Sequence, residues 1–143
     1  MVKVLFVCIH NSARSQMAEA LLKKYGGEMF SVQSAGLEPG ILNPLAVEVL
    51  KEEGIDITGK KTQSVFDLFK AGKLFHHVIT VCDEGNSQRC PVFPGQTNRI
   101  HWSFKDPSGL TGTYEEKLDY TKIIKEEIKQ KILAFIETIK KDS

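Results

Sequence analysis

The sequence predicts an α/β fold in which helices connect the strands of a parallel sheet. Strand-like and helix-like segments alternate along the chain, and this alternation is typical of right-handed βαβ units. The apolar run at 4–7 (VLFV) has the continuous pattern of a strand that is buried on both faces. The length of 143 residues suits one domain, 1–143, with a core of its own.

In the first half of the chain, two helices and a second strand follow this run. The first helix, at 12–25, carries an apolar stripe at helical spacing and ends at two glycines. The second strand is expected at 30–35. Asn43 and Pro44 have the residue types of an N-cap and a first helical position, which predicts a helix at 45–53.

The second half of the chain adds two strands and two helices. We expect a short helix at 64–71, a third strand at 77–82 and a fourth at 99–102. Thr113 and Glu116 then form a capping-box pattern. They precede a long amphipathic helix that we expect to end at about residue 140.

The composition is that of an ordinary soluble protein and excludes several classes of partner. The net charge of +1 gives no basic field for nucleic acid, and no apolar run approaches the ~20 residues of a membrane helix. No secretory signal is recognisable, so we expect a cytoplasmic protein, and we expect a monomer. The three cysteines do not make a disulfide framework and fit thiols in a reducing compartment.

The residues that end the first predicted strand have the chemistry of an anion site. Cys8 ends the strand, five residues separate it from Arg14, and Ser15 follows. Ligands of open α/β sheets bind at the carboxyl ends of strands, where a helix start attracts anions and favours a thiolate. The guanidinium fork of Arg14 suits a tetrahedral oxyanion. A lone cysteine would be read as a small buried hydrophobe. The combination of Cys8, Arg14 and Ser15 at this spacing favours a functional site over a buried structural cysteine.

Residues 8–20 (CIHNSARSQMAEA) resemble the oxyanion-binding loop of the low-molecular-weight protein tyrosine phosphatase superfamily. Within it they look more like the thioredoxin-coupled arsenate reductases. The resemblance covers nearly the whole chain. It implies four parallel strands in the order 2-1-3-4, with helices on both faces, and it makes Cys8 the nucleophile. The implied oxyanion ligands are the side chain of Arg14 and the backbone N–H groups of Ile9, His10, Asn11, Ser12, Ala13 and Arg14.

Two further residues near this loop have both a structural and a functional interpretation. Asp106 precedes Pro107, which favours an extended conformation, and Asp-Pro is common in plain turns. The resemblance implies that Asp106 is the general acid. Ser15 could make a local backbone bond at the helix start, or it could donate its hydroxyl to the Cys8 thiolate.

Cys82 and Cys90 allow three interpretations. A zinc site would need His101 and either His10 or Cys8 as further ligands, but the usual close Cys or His pairs are missing. Two buried inert thiols are the second interpretation. The third comes from residues 78–95 (VITVCDEGNSQRCPVFPG), which resemble the redox segment of the arsenate reductases. That resemblance implies a disulfide relay from Cys8 to Cys82 to Cys90, with thioredoxin as the electron donor. We expect this segment to move, with Gly85 as a hinge.

The resemblance implies no organic cofactor. In some thioredoxin-coupled reductases an Asn, a Glu and a Ser bind potassium beside the loop, and the matching residues here are Asn11, Glu19 and Ser34. The Asp that completes such a site is missing, since its place falls near Gln63 or Ser64. We therefore expect at most a weak potassium site and no other metal.

Three departures from the phosphatases favour reduction of arsenate to arsenite. His10 stands where phosphatases usually carry Gly, Ala13 where many carry a second Cys, and Ser108 where many carry Tyr. The alternative is a tyrosine phosphatase that hydrolyses phosphate monoesters through a phosphocysteine. Weak phosphatase activity is also expected of a reductase, because phosphate and arsenate share shape and charge. An oxyanion-binding protein without turnover is a third alternative, against which the intact nucleophile, Arg and acid argue.

Overall fold

The computed structural model, which describes residues 1–82, 89–96 and 98–142, contains one sheet of four parallel strands in the order β2-β1-β3-β4. This order is the expected one. The strands match the predicted segments to within about two residues at each end. Their bounds are β1 Val2–Cys8, β2 Phe30–Gly36, β3 His77–Thr80 and β4 Asn98–His101.

Except for the first, which follows Ala13, the α-helices of the described residues begin directly after residues whose side chains cap them. Asn43 and Ser64 each accept a hydrogen bond from the backbone N–H two residues later. Thr113 and Glu116 exchange the two bonds of a capping box, which confirms that prediction. The bounds are α1 Arg14–Gly26, α2 Pro44–Lys51, α3 Val65–Lys70 and α4 Tyr114–Asp142, with 3-10 turns at Gly27–Met29 and Pro107–Gly109.

Two boundaries differ from the prediction in ways that matter for the site. Helix α1 begins at Arg14 instead of residue 12, because the carbonyl of Ser12 accepts a hydrogen bond from Asn43 N outside the helix. Strand β3 ends at Thr80, where its ladder with β1 stops at Val7. Cys82 therefore lies two residues beyond the strand instead of at its end.

The sheet is covered on both faces, as expected. One core cluster joins Val4 and Phe6 to α1, α2 and α4, and the other joins Leu5 and Val7 to α3. Alternate residues of β1 thus enter opposite layers, which explains why its whole apolar run is buried. Among the helices of the described residues, none has the length and hydropathy that a membrane span requires.

Candidate active site

The backbone of the cysteine loop, residues 8–14, has its carbonyl groups turned away from the space in front of Cys8. Each carbonyl from Cys8 to Ala13 accepts a hydrogen bond from the surrounding protein. Because a trans peptide directs its N–H opposite to its C=O, the amides that follow point into the loop, that of Asn11 towards the Cys8 sulfur and the others towards the place of an anion. The donors are Leu37 N, Glu38 N, Gly40 N, Gln16 Nε2, Asn43 N and Met17 N.

The Cys8 sulfur is held by two contacts at the bottom of this loop. Ser15 Oγ lies 2.9 Å from Cys8 Sγ, and the backbone N–H of Asn11 donates to the same sulfur at 3.1 Å. Both groups can donate to a sulfur that carries negative charge, as an attacking thiolate does. The contact places Ser15 where its functional interpretation requires it, beside the Cys8 sulfur.

Asn11 connects the nucleophile to a buried carboxylate. Its Nδ2 donates to Ser15 Oγ at 2.8 Å and to Ser34 Oγ at 3.0 Å. Ser34 in turn donates to Glu19 Oε1 at 2.6 Å. The three residues expected at a potassium site, Asn11, Glu19 and Ser34, are therefore brought together in one hydrogen-bond network.

Two ammonium groups already supply positive charge at Glu19. Lys23 Nζ and Lys60 Nζ both contact Glu19 Oε2. Burial alone raises the pKa of this carboxyl, but the hydrogen bonds from Lys23, Lys60 and Ser34 outweigh it, and the pKa is lowered. Glu19 is therefore a buried anion balanced by lysines.

Arg14 and Asp106 meet at the mouth of the loop. Arg14 is 3% exposed, and its Nη1 donates to the carbonyl of Phe104 at 3.1 Å. Its Nη2 lies 3.5 Å from Asp106 Oδ2. The other carboxylate oxygen accepts from Ser108 N, so Asp106 also caps a 3-10 turn in the extended conformation that Pro107 favours. Asp106 thus has both of its predicted features, the turn and the place beside the anion site.

Cys82 and Cys90 occupy different layers of the protein. Among the described residues no disulfide joins the three cysteines, and all are buried. Cys82 belongs to the same core cluster as Cys8, whereas Cys90 packs in the cluster beneath α3. Burial raises the pKa of Cys90 to about 11, against the opposing charge of Arg99, and a charge on Cys82 raises it further. The hinge predicted at Gly85 lies outside the described residues.

The geometry does not support the zinc interpretation. His101 bonds Thr80 Oγ1 at 2.7 Å and Ser103 Oγ at 3.0 Å, and His10 bonds the carbonyl of Glu38. Within residues 1–82, 89–96 and 98–142, no group of three or more Cys, His, Asp or Glu side chains could hold a metal.

Two residues that hold the loop were not predicted. A Cβ on Gly36 would lie 2.8 Å from Asn11 N and from Ile9 O, so the loop passes too close for any side chain. Gln16, 1% exposed, donates to the carbonyl and side-chain oxygens of Asn11. Gly36 looked like a plain strand end, and a glutamine in a first helical turn carries no sequence signal for such a contact.

Comparison with known proteins agrees with this geometry. Residues 3–143 match the family model described as low molecular weight phosphotyrosine protein phosphatase. The chain is 40% identical over 138 residues to an arsenate reductase of Bacillus licheniformis and 39% identical over 136 residues to that of Bacillus subtilis, in both cases over 94% of this chain and 95% of the relative.

Solved structures give the same picture. One described as an arsenate reductase in the phosphate binding state matches 97% of this chain and 99% of its own, with a TM-score of 0.79 and 32% identity. A thioredoxin-dependent arsenate reductase of Corynebacterium glutamicum matches 100% of this chain and 63% of its own, with a TM-score of 0.74 and 30% identity. The chain belongs to the low molecular weight phosphotyrosine protein phosphatase family, and relatives that it resembles over nearly its full length are arsenate reductases.

Proposed function

We propose that this protein reduces arsenate to arsenite through a disulfide relay that thioredoxin regenerates. The observation that carries the proposal is the arrangement of three reduced cysteines. Cys8 lies inside an anion-binding loop, Cys82 lies in the same core cluster, and Cys90 follows in the chain. The names of the relatives, and the thioredoxin dependence stated for the Corynebacterium structure, support the same reaction.

The first step forms a bond between sulfur and arsenic. Arsenate would be held by the inward N–H groups of the cysteine loop and by the Arg14 guanidinium. The Cys8 thiolate attacks arsenic, while Asp106 gives a proton to the oxygen that leaves as water. The distance of 3.5 Å between Arg14 Nη2 and Asp106 Oδ2 supports these roles, because it puts acid and guanidinium at the same opening.

The relay then moves two electrons to arsenic. The Cys82 thiolate attacks the Cys8 sulfur, and the pair of the sulfur–arsenic bond leaves with arsenite, which reduces As(V) to As(III). Cys90 next attacks Cys82 and releases Cys8 as a thiolate. Thioredoxin reduces the resulting bond between Cys82 and Cys90. No organic cofactor enters this scheme.

Phosphate monoester hydrolysis is the second candidate, favoured by the family model that matches the chain. It would use the same Cys8, Arg14 and Asp106, with water to resolve a phosphocysteine. It would need neither Cys82 nor Cys90, so these two residues distinguish the candidates.

The deciding experiment is arsenate-dependent NADPH consumption with purified thioredoxin and thioredoxin reductase, beside hydrolysis of p-nitrophenyl phosphate. The proposal predicts turnover of arsenate that Cys82→Ser abolishes, while hydrolysis survives that change. Equal arsenate turnover in Cys82→Ser would overturn the relay and favour the phosphatase.

We also propose a cytoplasmic location, where thioredoxin keeps cysteines reduced. At Glu19 we propose that Lys23 and Lys60 provide the charge that a potassium ion would otherwise supply. Replacing sodium by potassium at constant ionic strength should then change arsenate turnover less than twofold. A larger potassium activation would contradict this proposal.

A further inference from the structure

An exposed apolar surface lies next to the buried thiol that ends the proposed relay. Four large hydrophobic side chains form it, and we name them the α3 patch. Two of them come from the outer face of α3, one from the segment after it and one from the segment after Cys90. They are Phe66, Phe69, Leu74 and Val92, with 37%, 43%, 40% and 67% exposure.

The α3 patch is continuous with the core cluster that holds Cys90. The ring of Phe69 packs edge-on against Phe93 at 5.8 Å between centroids, and Phe93 packs against Phe75 at 5.1 Å. Leu74 lies against the turn at Gly95, where an added Cβ would come within 2.5 Å of Leu74 Cδ1. Phe75, Phe93 and Cys90 share one buried cluster. Cys90 therefore lies in the same layer as the aromatic residues beneath the patch.

The chemistry of the relay requires an external thiol at this side of the protein. Cys90 is 4% exposed, and the rest of its cluster comes from the sheet, from α3 and from the segments that carry Leu37, Phe75 and Phe93. Thiol–disulfide exchange needs direct approach of one sulfur to another, and a protein donor achieves it by docking on the surface next to the disulfide. Exposed contiguous apolar groups are the usual sign of such an interaction site.

We propose that the α3 patch is the docking surface for the dithiol protein, of the thioredoxin type, that reduces the disulfide between Cys82 and Cys90. This inference rests on the proposed function. Lys70, Lys73 and Asp67 are exposed in the same segment as the aromatic residues, so charges of both signs surround the patch and the partner surface is apolar around its reactive cysteine.

The exchange that this docking serves is balanced between the two proteins. A thiolate of the partner attacks one sulfur of the disulfide, and the other sulfur leaves as a thiolate that takes up a proton. The second thiol of the partner then attacks the mixed disulfide and loses its own proton. This protein gains two electrons and two protons, and the partner ends as a disulfide.

The test compares a protein donor with a small one. Val92→Ser and Phe69→Ser should each raise the KM for thioredoxin about tenfold, the scale of losing one interfacial contact of about 1.4 kcal/mol. Turnover supported by dithiothreitol, which needs no docking surface, should stay within twofold of wild type. Ile123→Ser is the matched control, because Ile123 is 57% exposed on α4, away from the patch.

Three outcomes overturn the proposal. The first is an unchanged KM for thioredoxin in Val92→Ser. Because the Val92 side chain is exposed, this variant should fold and test the proposal even if Phe69→Ser does not fold. The second is an equal loss with dithiothreitol, which would mean that the patch serves the relay itself. The third is a change of oligomeric state in the Val92→Ser variant, seen by sedimentation, which would assign the patch to a second copy of the chain. Failure of the wild type with both donors would instead refute the proposed function.

Discussion

At the scale of single residues, Asn11 links the nucleophile to the interior. Both hydrogens of its amide are donated, to Ser15 and Ser34, and its Oδ1 accepts from Gln16 Nε2 and from Gln63 N. If the amide oxygen and nitrogen of Asn11 exchanged places, its NH₂ group would face Gln16 Nε2 and Gln63 N, which are also donors. These contacts therefore fix the orientation of the Asn11 amide. Ser15 Oγ accepts from Asn11 and keeps its own proton available for donation to the Cys8 sulfur. Asn11 has a φ of 56°, a left-handed conformation that Asn tolerates better than most residues.

Arg14→Lys should lower kcat/KM for arsenate by about a hundredfold. The guanidinium contacts the Phe104 carbonyl through Nη1 and Asp106 through Nη2, and a single ammonium cannot keep both while binding an oxyanion. Steady-state kinetics measure the loss, and inhibition by phosphate should weaken with it. An Arg14→Lys variant within threefold of wild type would show that the planar fork is not needed.

Asp106→Asn should slow the first chemical step by about 10²–10⁴-fold, the usual range for loss of a general acid. The amide oxygen of Asn can still accept from Ser108 N, so the turn is kept while the proton donor is lost. Single-turnover formation of arsenite measures the step, and Asp67→Asn on the exposed side of α3 is the control. An unchanged rate would show that Asp106 is only a turn residue and not the general acid.

At the scale of elements, the ends of β1 and β2 shape the cysteine loop. Cys8 pairs with Gly36 in the sheet, and the chain after Gly36 then donates N–H groups to the carbonyls of Cys8, Ile9 and His10. Gly36 itself donates to the carbonyl of Gln63 at 2.8 Å, which ties in the segment before α3. The loop is thus fixed by backbone bonds from neighbouring elements, and its amides stay oriented without a ligand.

Gly36→Ala should destabilise the protein by about 1–3 kcal/mol, the cost of overpacking a close contact. The new Cβ would meet backbone atoms of Asn11 and Ile9, which cannot move without reshaping the loop. Urea unfolding measures the stability, and phosphate inhibition measures the loop. In the control Gly109→Ala, the added Cβ meets nothing within 4 Å. Equal stability and phosphate affinity in the two variants would contradict the argument.

At the scale of the whole molecule, Glu53 joins three helices behind the sheet. It lies just after α2, and its side chain, 9% exposed, bonds Tyr25 of α1 at 2.5 Å and Lys125 and Lys129 of α4. The hydrogen bond from Tyr25, with those from Lys129 and Lys125, outweighs the effect of burial and lowers the pKa of Glu53 from 4.5 to about 2.

Glu53 should therefore contribute acid sensitivity. Because its pKa is lower in the folded state, its stabilisation is present above about pH 4.5 and is lost as the pH falls towards about 2. Glu53→Gln should cost about 2 kcal/mol of unfolding free energy at pH 7 and flatten the decline below pH 4.5. Urea unfolding at several pH values measures this, with exposed Glu48→Gln as the control. Parallel pH profiles for wild type and Glu53→Gln would refute the assignment.

The parts of the molecule that local patterns determine were predictable, and the long-range contacts were not. The Asn43 cap and the capping box at Thr113 follow from short patterns because their bonds join residues within a few positions, and β1 follows from its continuous apolar run although its own bonds are long-range. The strand order came from the family resemblance, since periodicity does not fix which strands are neighbours. The contact of Lys60 with Glu19 joins residues 41 positions apart, and no local sequence pattern predicts it.

The central claim is the relay from Cys8 to Cys82 to Cys90, and one variant tests it most directly. In Cys90→Ser, arsenate should produce about one arsenite per protein and then stall, because no thiol remains to take over the new bond. Mass spectrometry of tryptic peptides, without reductant, should then find Cys8 joined to Cys82. Multiple turnovers in Cys90→Ser with thioredoxin as the donor, or no bond between Cys8 and Cys82 after arsenite release, would contradict the account.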